Sequence, residues 1–160
     1  MSYTIINYSC VFTNQADFES IRHDVIDIQQ SIGWNEEDLH FAKLRLNNED
    51  SPKVLVKIAE TSKLIGYATL VTKPGHSWYL SQIAVHIDYQ GNGIGKAIMT
   101  EIFAKAVLIN IKNIYLETEG DNEKLMKFYK SFPNRLPSQI TPDGYTHQGH
   151  PKVWIYYTIC

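Results

Sequence analysis

Cysteine is scarce in this chain. Cys10 and Cys160, near opposite ends, are the only two, too few for a disulfide framework. No apolar run approaches the roughly 18 residues that a membrane span needs, and no secretory signal is visible at the start. A reducing, cytoplasmic setting is therefore the expectation, with no membrane partner. Charge of one sign is lacking too. Fifteen Lys and Arg against seventeen Asp and Glu leave a formal net charge of -2, and the two signs are interspersed. That gives no reason to expect nucleic-acid binding or an electrostatic hold on lipid. Histidines at 23, 40, 76, 86, 147 and 150 follow no metal-ligand spacing. His147 and His150 are close to each other but have no Cys or acid beside them in the sequence, so they read as surface or acceptor-site residues and no metal is expected. There is also no internal repeat, linker or low-complexity stretch.

What the chain does have is an ordinary globular composition, 44% hydrophobic and 20% charged over 160 residues, which suits a single domain spanning 1–160. Tyr3 to Phe12 is rich in β-branched and aromatic types and predicts an opening strand. Asn14, with Asp17 three residues on, reads as a helix start, and Phe18, Ile21, Val25, Ile28 and Ile32 then share one helical face. Gly33 ends that helix. Asn35 with Asp38 caps a second, whose apolar positions are Leu39, Ala42 and Leu46. Trp34, in the turn between them, is either a packing plug or a wall of a substrate pocket. Lys53 to Ala59 and Leu64 to Val71 form a hairpin, and Lys73-Pro74-Gly75-His76 turns the chain into a third antiparallel strand from Trp78 to Val85. A helix from Gly93 to about Ile109 has Ile94, Ile98, Ile102 and Ala106 on one ridge and Met99, Phe103 and Val107 on the next, an apolar girth suited to a sheet face. Asn113 to Glu119 is a further strand, reached through a crossover that favours parallel pairing. Asp121 or Asn122 opens a helix with Leu125, Phe128, Tyr129 and Phe132 at helical spacing. Prolines 133, 137, 142 and 151 then predict a loop, before a closing strand from Lys152 to Ile159. The order is βααβββαβαβ, an α/β fold with a mixed sheet flanked by helices.

The stretch from Ile83 to Lys96, an apolar strand running through Gly91, Gly93 and Gly95 into a helix, carries the chemistry. Glycines let bare amides approach a ligand, and the positive end of the following helix favours an anion, phosphate above all. Two familiar templates fail. A dinucleotide fingerprint counted from Gly91 would need glycine where Lys96 stands, and a nucleotide P-loop ending at Gly95-Lys96 would need glycine at Gln90 and a hydroxyl at Ala97. What is left, Gln90-x-x-Gly93-x-Gly95 after Val85-His86-x-Asp88-Tyr89, closely resembles the diphosphate-binding motif of the GNAT superfamily of acyl-CoA N-acyltransferases. The bland alternative is a structural strand-to-helix turn.

A second segment resembles the same family: Leu116-x-Thr118-x-x-x-Asn122, followed by Phe128-Tyr129-Lys130. The resemblance spans about Trp78 to Phe132 and implies a GNAT-like fold, acetyl-CoA as cosubstrate, and N-acetyl transfer to a primary amine by direct attack in a ternary complex. It implies that Gln90, Gly91, Asn92, Gly93, Ile94, Gly95 and Lys96 hold the diphosphate. Ile83, Ala84 and Val85 would lie along the pantetheine arm, with a backbone N–H near Ile83 polarising the thioester carbonyl. Asn122 would bond the arm, and Tyr129 would protonate the leaving thiolate, since a phenol of pKa about 10 suits that task. On the apolar stripe alone, Tyr129 reads as core. Relatives often carry a carboxylate base on the strand before the loop, but this chain has Ser81 and Gln82 there. Glu117 on the neighbouring strand is the first substitute, ahead of His86, His76 and His147. Ile87 replaces a usual proline, and Ser131-Phe132-Pro133 lacks the expected Gly-Phe. The acceptor stays open, from small amines to peptide amines. Many relatives dimerise, and the C-terminal strand could serve that. The rival reading is a non-catalytic acyl-CoA-binding module, supported by the carboxylate missing at 81–82.

Overall fold

A computed structural model describes residues 6–159. The elements run β1 (Tyr8–Thr13), α1 (Phe18–Ser31), α2 (Glu36–Leu46), β2 (Lys53–Ile58), β3 (Leu64–Lys73), β4 (Ser77–Val85), α3 (Ile94–Leu108), β5 (Asn113–Glu119), α4 (Glu123–Tyr129), β6 (Gln139–His147) and β7 (His150–Thr158). The seven strands form one mixed sheet in the order β1-β2-β3-β4-β5-β7-β6. The expected α/β order holds through α4. Tyr3 to Ile5 of the expected first strand lie outside the described residues.

The chain divides into two compact units. The first takes the residues up to Thr72 together with Ser81–Lys105. Here β1 and β2 pair antiparallel, as do β2 and β3. The β3 and β4 segments also run in opposite senses: Thr69 Oγ1 meets Ser81 Oγ at 2.7 Å, while the His86 N–H donates to Ile65 C=O at 2.9 Å. α1 starts at Asp17, not Asn14, because it is the Asp17 carboxylate that accepts the Glu19 N–H at 3.2 Å. Its face of Phe18, Ile21, Val25 and Ile28 is buried, each side chain contributing about 1.5–3 kcal/mol. Gly33, at φ +81°, ends the segment. Asn35 then caps α2 in a reciprocal box with Asp38. Trp34 packs against the core made by α1, α2 and the sheet, as does Leu39; this supports the plug reading.

Two polar devices lie inside this core. The Lys53 side chain is fully buried and its Nζ donates to three carbonyls, Asn14 at 2.9 Å and Leu46 and Asn48 at 3.0 Å each. Leu46 is the last residue of α2, so the ammonium satisfies a carbonyl at the helix's negative end. Burial lowers the Lys53 pKa, with Glu49 opposing. The second device joins three side chains and a carbonyl. Gln29 Nε2 donates to the Tyr67 hydroxyl at 2.7 Å, that hydroxyl donates to Gln82 Oε1 at 2.9 Å, and Gln82 Nε2 donates to Asp38 C=O at 2.9 Å.

The second unit takes Lys73–Leu80 and the residues from Ala106 onward. β4 and β5 pair in parallel over Ser77–Tyr79 and Asn113–Tyr115, as a crossover through a helix requires. β5 then pairs antiparallel with β7 over its whole length. β6 corrects the expected loop between Pro133 and Pro151. It is an edge strand that pairs with β7 and breaks register between Pro142 and Thr146. An edge strand with a bulge is where a sheet tolerates proline. The order thus gains a final strand, βααβββαβαββ. A second correction falls on α3: the ridge of Ile94, Ile98, Ile102 and Ala106 is buried, but Val107 is 46% exposed and its neighbours Leu108 and Ile109 are exposed too.

Candidate functional site

β4 ends at Val85, a short 3-10 turn covers Ile87–Tyr89, and α3 begins at Ile94. The turn is moored to α1. The Ile87 N–H donates to Ser31 Oγ at 3.0 Å, and His86 Nε2 lies 3.2 Å from the Asp27 carboxylate. His86 Nδ1 accepts the Asp88 N–H at 3.1 Å, which leaves the ring proton on Nε2, facing Asp27. Both ring nitrogens are thus engaged and His86 is 7% exposed. That removes it as a candidate base.

Gly91 and Gly93 take φ +82° and +77°, the left-handed region, and a Cβ at either would meet nothing within 4 Å. The first helical bond of α3 runs from the Ala97 N–H to Gly93 C=O at 2.9 Å. Among the described residues, no carbonyl or side chain accepts a hydrogen bond from the amides of Gly91, Asn92, Gly93, Ile94, Gly95 or Lys96. Six consecutive donors, in a loop open to approach and at the positive end of a fifteen-residue helix, suit a diphosphate. Gln90 Nε2 turns back to donate to Val85 C=O at 3.0 Å, and Asn92 Nδ2 donates to Tyr89 C=O at 3.0 Å. Both side chains therefore shape the loop. Along β4, the His86 N–H points to β3, so alternation turns the N–H groups of Ile83 and Val85 to the strand's other edge. Val85 C=O is occupied by Gln90, which narrows the backbone expected along the coenzyme arm.

In the second unit, Asn122 caps α4, its Oδ1 accepting the Leu125 N–H at 3.1 Å; its amide NH2 remains a donor. Tyr129 closes α4 at 4% exposure. Its hydroxyl has no partner among the described residues, and no fully buried side-chain oxygen there lacks one, so this hydroxyl reaches the surface. Burial pushes its pKa well above the ordinary phenol value. The Tyr157 hydroxyl donates to Tyr129 C=O at 2.7 Å, which lays this end of α4 on the face of the sheet that carries Tyr157, Ile114 and Leu116. Glu117 is on the opposite face of β5. Burial, then a hydrogen bond and like charge from Asp143, push its pKa up to about 7, with Lys152 opposing. His76 and His147 are exposed, and His147 Nδ1 lies 3.2 Å from the Tyr145 hydroxyl.

The family model for the Acetyltransferase (GNAT) family matches residues 18–132. The chain belongs to the GNAT family. It is 27% identical over 123 residues to an uncharacterized N-acetyltransferase, ycf52, of Pyropia yezoensis, covering 76% of this chain and 67% of that one. The GNAT fold is equally plain in solved structures. The ribosomal-protein-S18-alanine N-acetyltransferase from Escherichia coli superposes with TM-score 0.73 at 16% identity, covering 94% of each chain. Ard1 from Thermoplasma volcanium gives 0.73 at 16%, covering 97% of this chain and 99% of that one. This chain is accordingly a GNAT acetyltransferase, and its family draws the acyl group from acetyl-CoA.

Ser81 bonds Thr69, and Gln82 belongs to the buried network with Tyr67, so both side chains are engaged in structural hydrogen bonds. His150 is exposed, and the fold gives it acidic neighbours that linear spacing hid: Asp121 lies 3.0 Å from its Nδ1, and Glu119 is close by. Asp121 raises the His150 pKa. Sequence reasoning also missed Asp143. Its signal was the Asp143-Gly144 pair, a bulge and turn signature read instead as loop.

Proposed function

We propose that this GNAT chain, acting as one domain, transfers an acetyl group from acetyl-CoA to a primary amine by direct attack in a ternary complex. The observation that carries the reading is the run of six amides without acceptors from Gly91 to Lys96, at the start of α3. They and Gln90 are assigned to the coenzyme's diphosphate, the N–H groups of Ile83 and Val85 beside Ala84 to its amide-bearing arm, and the Asn122 NH2 to the same arm. Acetyl-CoA supplies an activated acyl carbon and a thiolate leaving group.

An alkylammonium of pKa about 10.4 has no lone pair, so one proton must leave before attack. Glu117 takes it; a carboxyl with its pKa near 7 is matched to neutral conditions. As the nitrogen bonds to the acyl carbon and the C–S bond breaks, Tyr129 gives the sulfur a proton. Its raised pKa does not argue against this, because the desolvation that raises the phenol acts on a thiolate beside it in the same direction. Base and acid on opposite faces of β5 keep the two proton transfers apart. Glu117 also supplies the carboxylate whose absence at 81–82 was the support for a non-catalytic module. The test is release of free thiol from acetyl-CoA across a panel of amines. No release with any amine would sink the reading.

A further inference from the structure

Glu117 shares its face of β5 with Tyr115 and Glu119. Across the ladder, Trp154 stands directly opposite Glu117, Tyr156 opposite Tyr115 and Lys152 opposite Glu119. Tyr79 of β4 joins the group: its ring lies 5.4 Å from that of Tyr115 and 6.2 Å from that of Trp154, while Tyr115 stacks on Tyr156 at 5.8 Å. All four rings are half-buried. Asp143 is brought to the same face by the irregularity in β6. Register breaks between Pro142 and Thr146, Gly144 takes φ +76°, and the Tyr145 N–H holds Asp143 Oδ1 at 2.7 Å. Trp154 stands opposite both Glu117 and Thr141, two residues before Asp143, so the anchored Asp143 carboxyl lies near that of Glu117, and burial together with this neighbour pushes the Glu117 pKa up to about 7. Two carboxyl groups held this near favour one shared proton over two charges.

We propose that this face receives the acceptor, and that the acceptor is an alkylamine cation without a carboxylate on the same short chain. This rests on Glu117 serving as the base. The ammonium lies between Glu117 and Asp143, and the alkyl chain runs along Trp154 and Tyr115. An ammonium offers three donors to two carboxyl groups, and aromatic faces attract a cation while covering methylenes. An anionic group near the nitrogen would meet the carboxyl groups of Glu117 and Asp143 directly, while Lys152 and His150 sit further along the face, beside Glu119. Cation binding also displaces the shared proton to solvent, so that both carboxyl groups end ionised and Glu117 is ready to take the amine's proton. Proton release thus identifies this geometry.

Calorimetric titration of the whole protein with n-butylamine at about pH 6.5, in buffers of different ionisation enthalpy, should show about half a proton or more released per amine bound. γ-Aminobutyrate, an amine of like length carrying a carboxylate, should bind at least about tenfold more weakly. Asp143→Asn should weaken n-butylamine binding about tenfold and abolish the release, while coenzyme A affinity stays put. Trp154→Leu should weaken the amine and leave the proton release in place. The proposal is overturned by amine binding without proton release, by γ-aminobutyrate binding as tightly as n-butylamine, or by a peptide amine binding where alkylamines do not. A folded Asp143→Asn protein that keeps both affinity and release also overturns it. Loss of coenzyme binding in the unaltered protein would instead strike the transferase reading itself.

Discussion

Burial and the Asp143 carboxyl push the Glu117 pKa up to about 7, and this sets a sign for the reaction's pH dependence. A base must be ionised to accept a proton, so kcat/KM should fall about tenfold per unit below pH 7 and level off above it. Glu117→Gln should abolish that limb and lower turnover; a profile unchanged by the substitution would remove Glu117 from its role. Tyr129→Phe tests the other proton. Turnover should drop about a hundredfold while coenzyme A affinity changes little, and kinetics alongside direct binding would separate the two. Cys10 gives a control for burial. Burial, then Glu101, raise its thiol pKa to about 11. Of these groups, Tyr129 was singled out by family resemblance alone, since its apolar stripe reads as core. Glu117 was legible only as a strand neighbour, because its tuning comes from Asp143, a residue remote in sequence. His86 stood among the substitutes behind Glu117, and only the fold revealed that Asp27 and the Asp88 N–H engage both its nitrogens.

At the scale of elements, the loop proposed to hold the coenzyme depends on backbone that glycine alone adopts easily. Gly93→Val would force a β-branched residue to φ +77°, a strain of about 1–2 kcal/mol, and should weaken coenzyme A binding about tenfold or more. Gly75→Ala, at φ +79° in the β3–β4 turn, is its control: it should lower the melting temperature and spare the coenzyme. Lys53→Met removes the ammonium that ends α2. Three carbonyls lose a charged donor, a cost of about 3 kcal/mol, or about 6 to 12 °C in melting temperature for a chain of this size. A melt within a degree or two of the parent protein would contradict that account. Elements with strong periodicity were readable in advance, α1 by its buried stripe and α2 by its capping box. β6 was not, since Pro142 argues against a strand unless an unpaired edge and a bulge are known to await it. The start of α1 slipped from Asn14 to Asp17 because either side chain is a competent cap, and only packing chooses between them.

For the molecule as a whole, the family match across residues 18–132 draws on both compact units. Among the described residues, no helix is long and apolar enough to cross a membrane. Hydrogen exchange offers a global test. Amides 91–96, without internal acceptors, should exchange fast in the free protein and become the most strongly protected stretch with coenzyme A bound. Protection spread evenly along the chain would argue against the loop as the anion's seat. The mooring of the loop to α1 has one more consequence. Ser31 and Asp27, on the last two turns of that helix, grip residues 86 and 87, so a push on α1 is delivered to the run that leads into the amides proposed to hold the diphosphate. Ser31→Ala would cut one of those moorings and should loosen residues 86 and 87, read as faster amide exchange there.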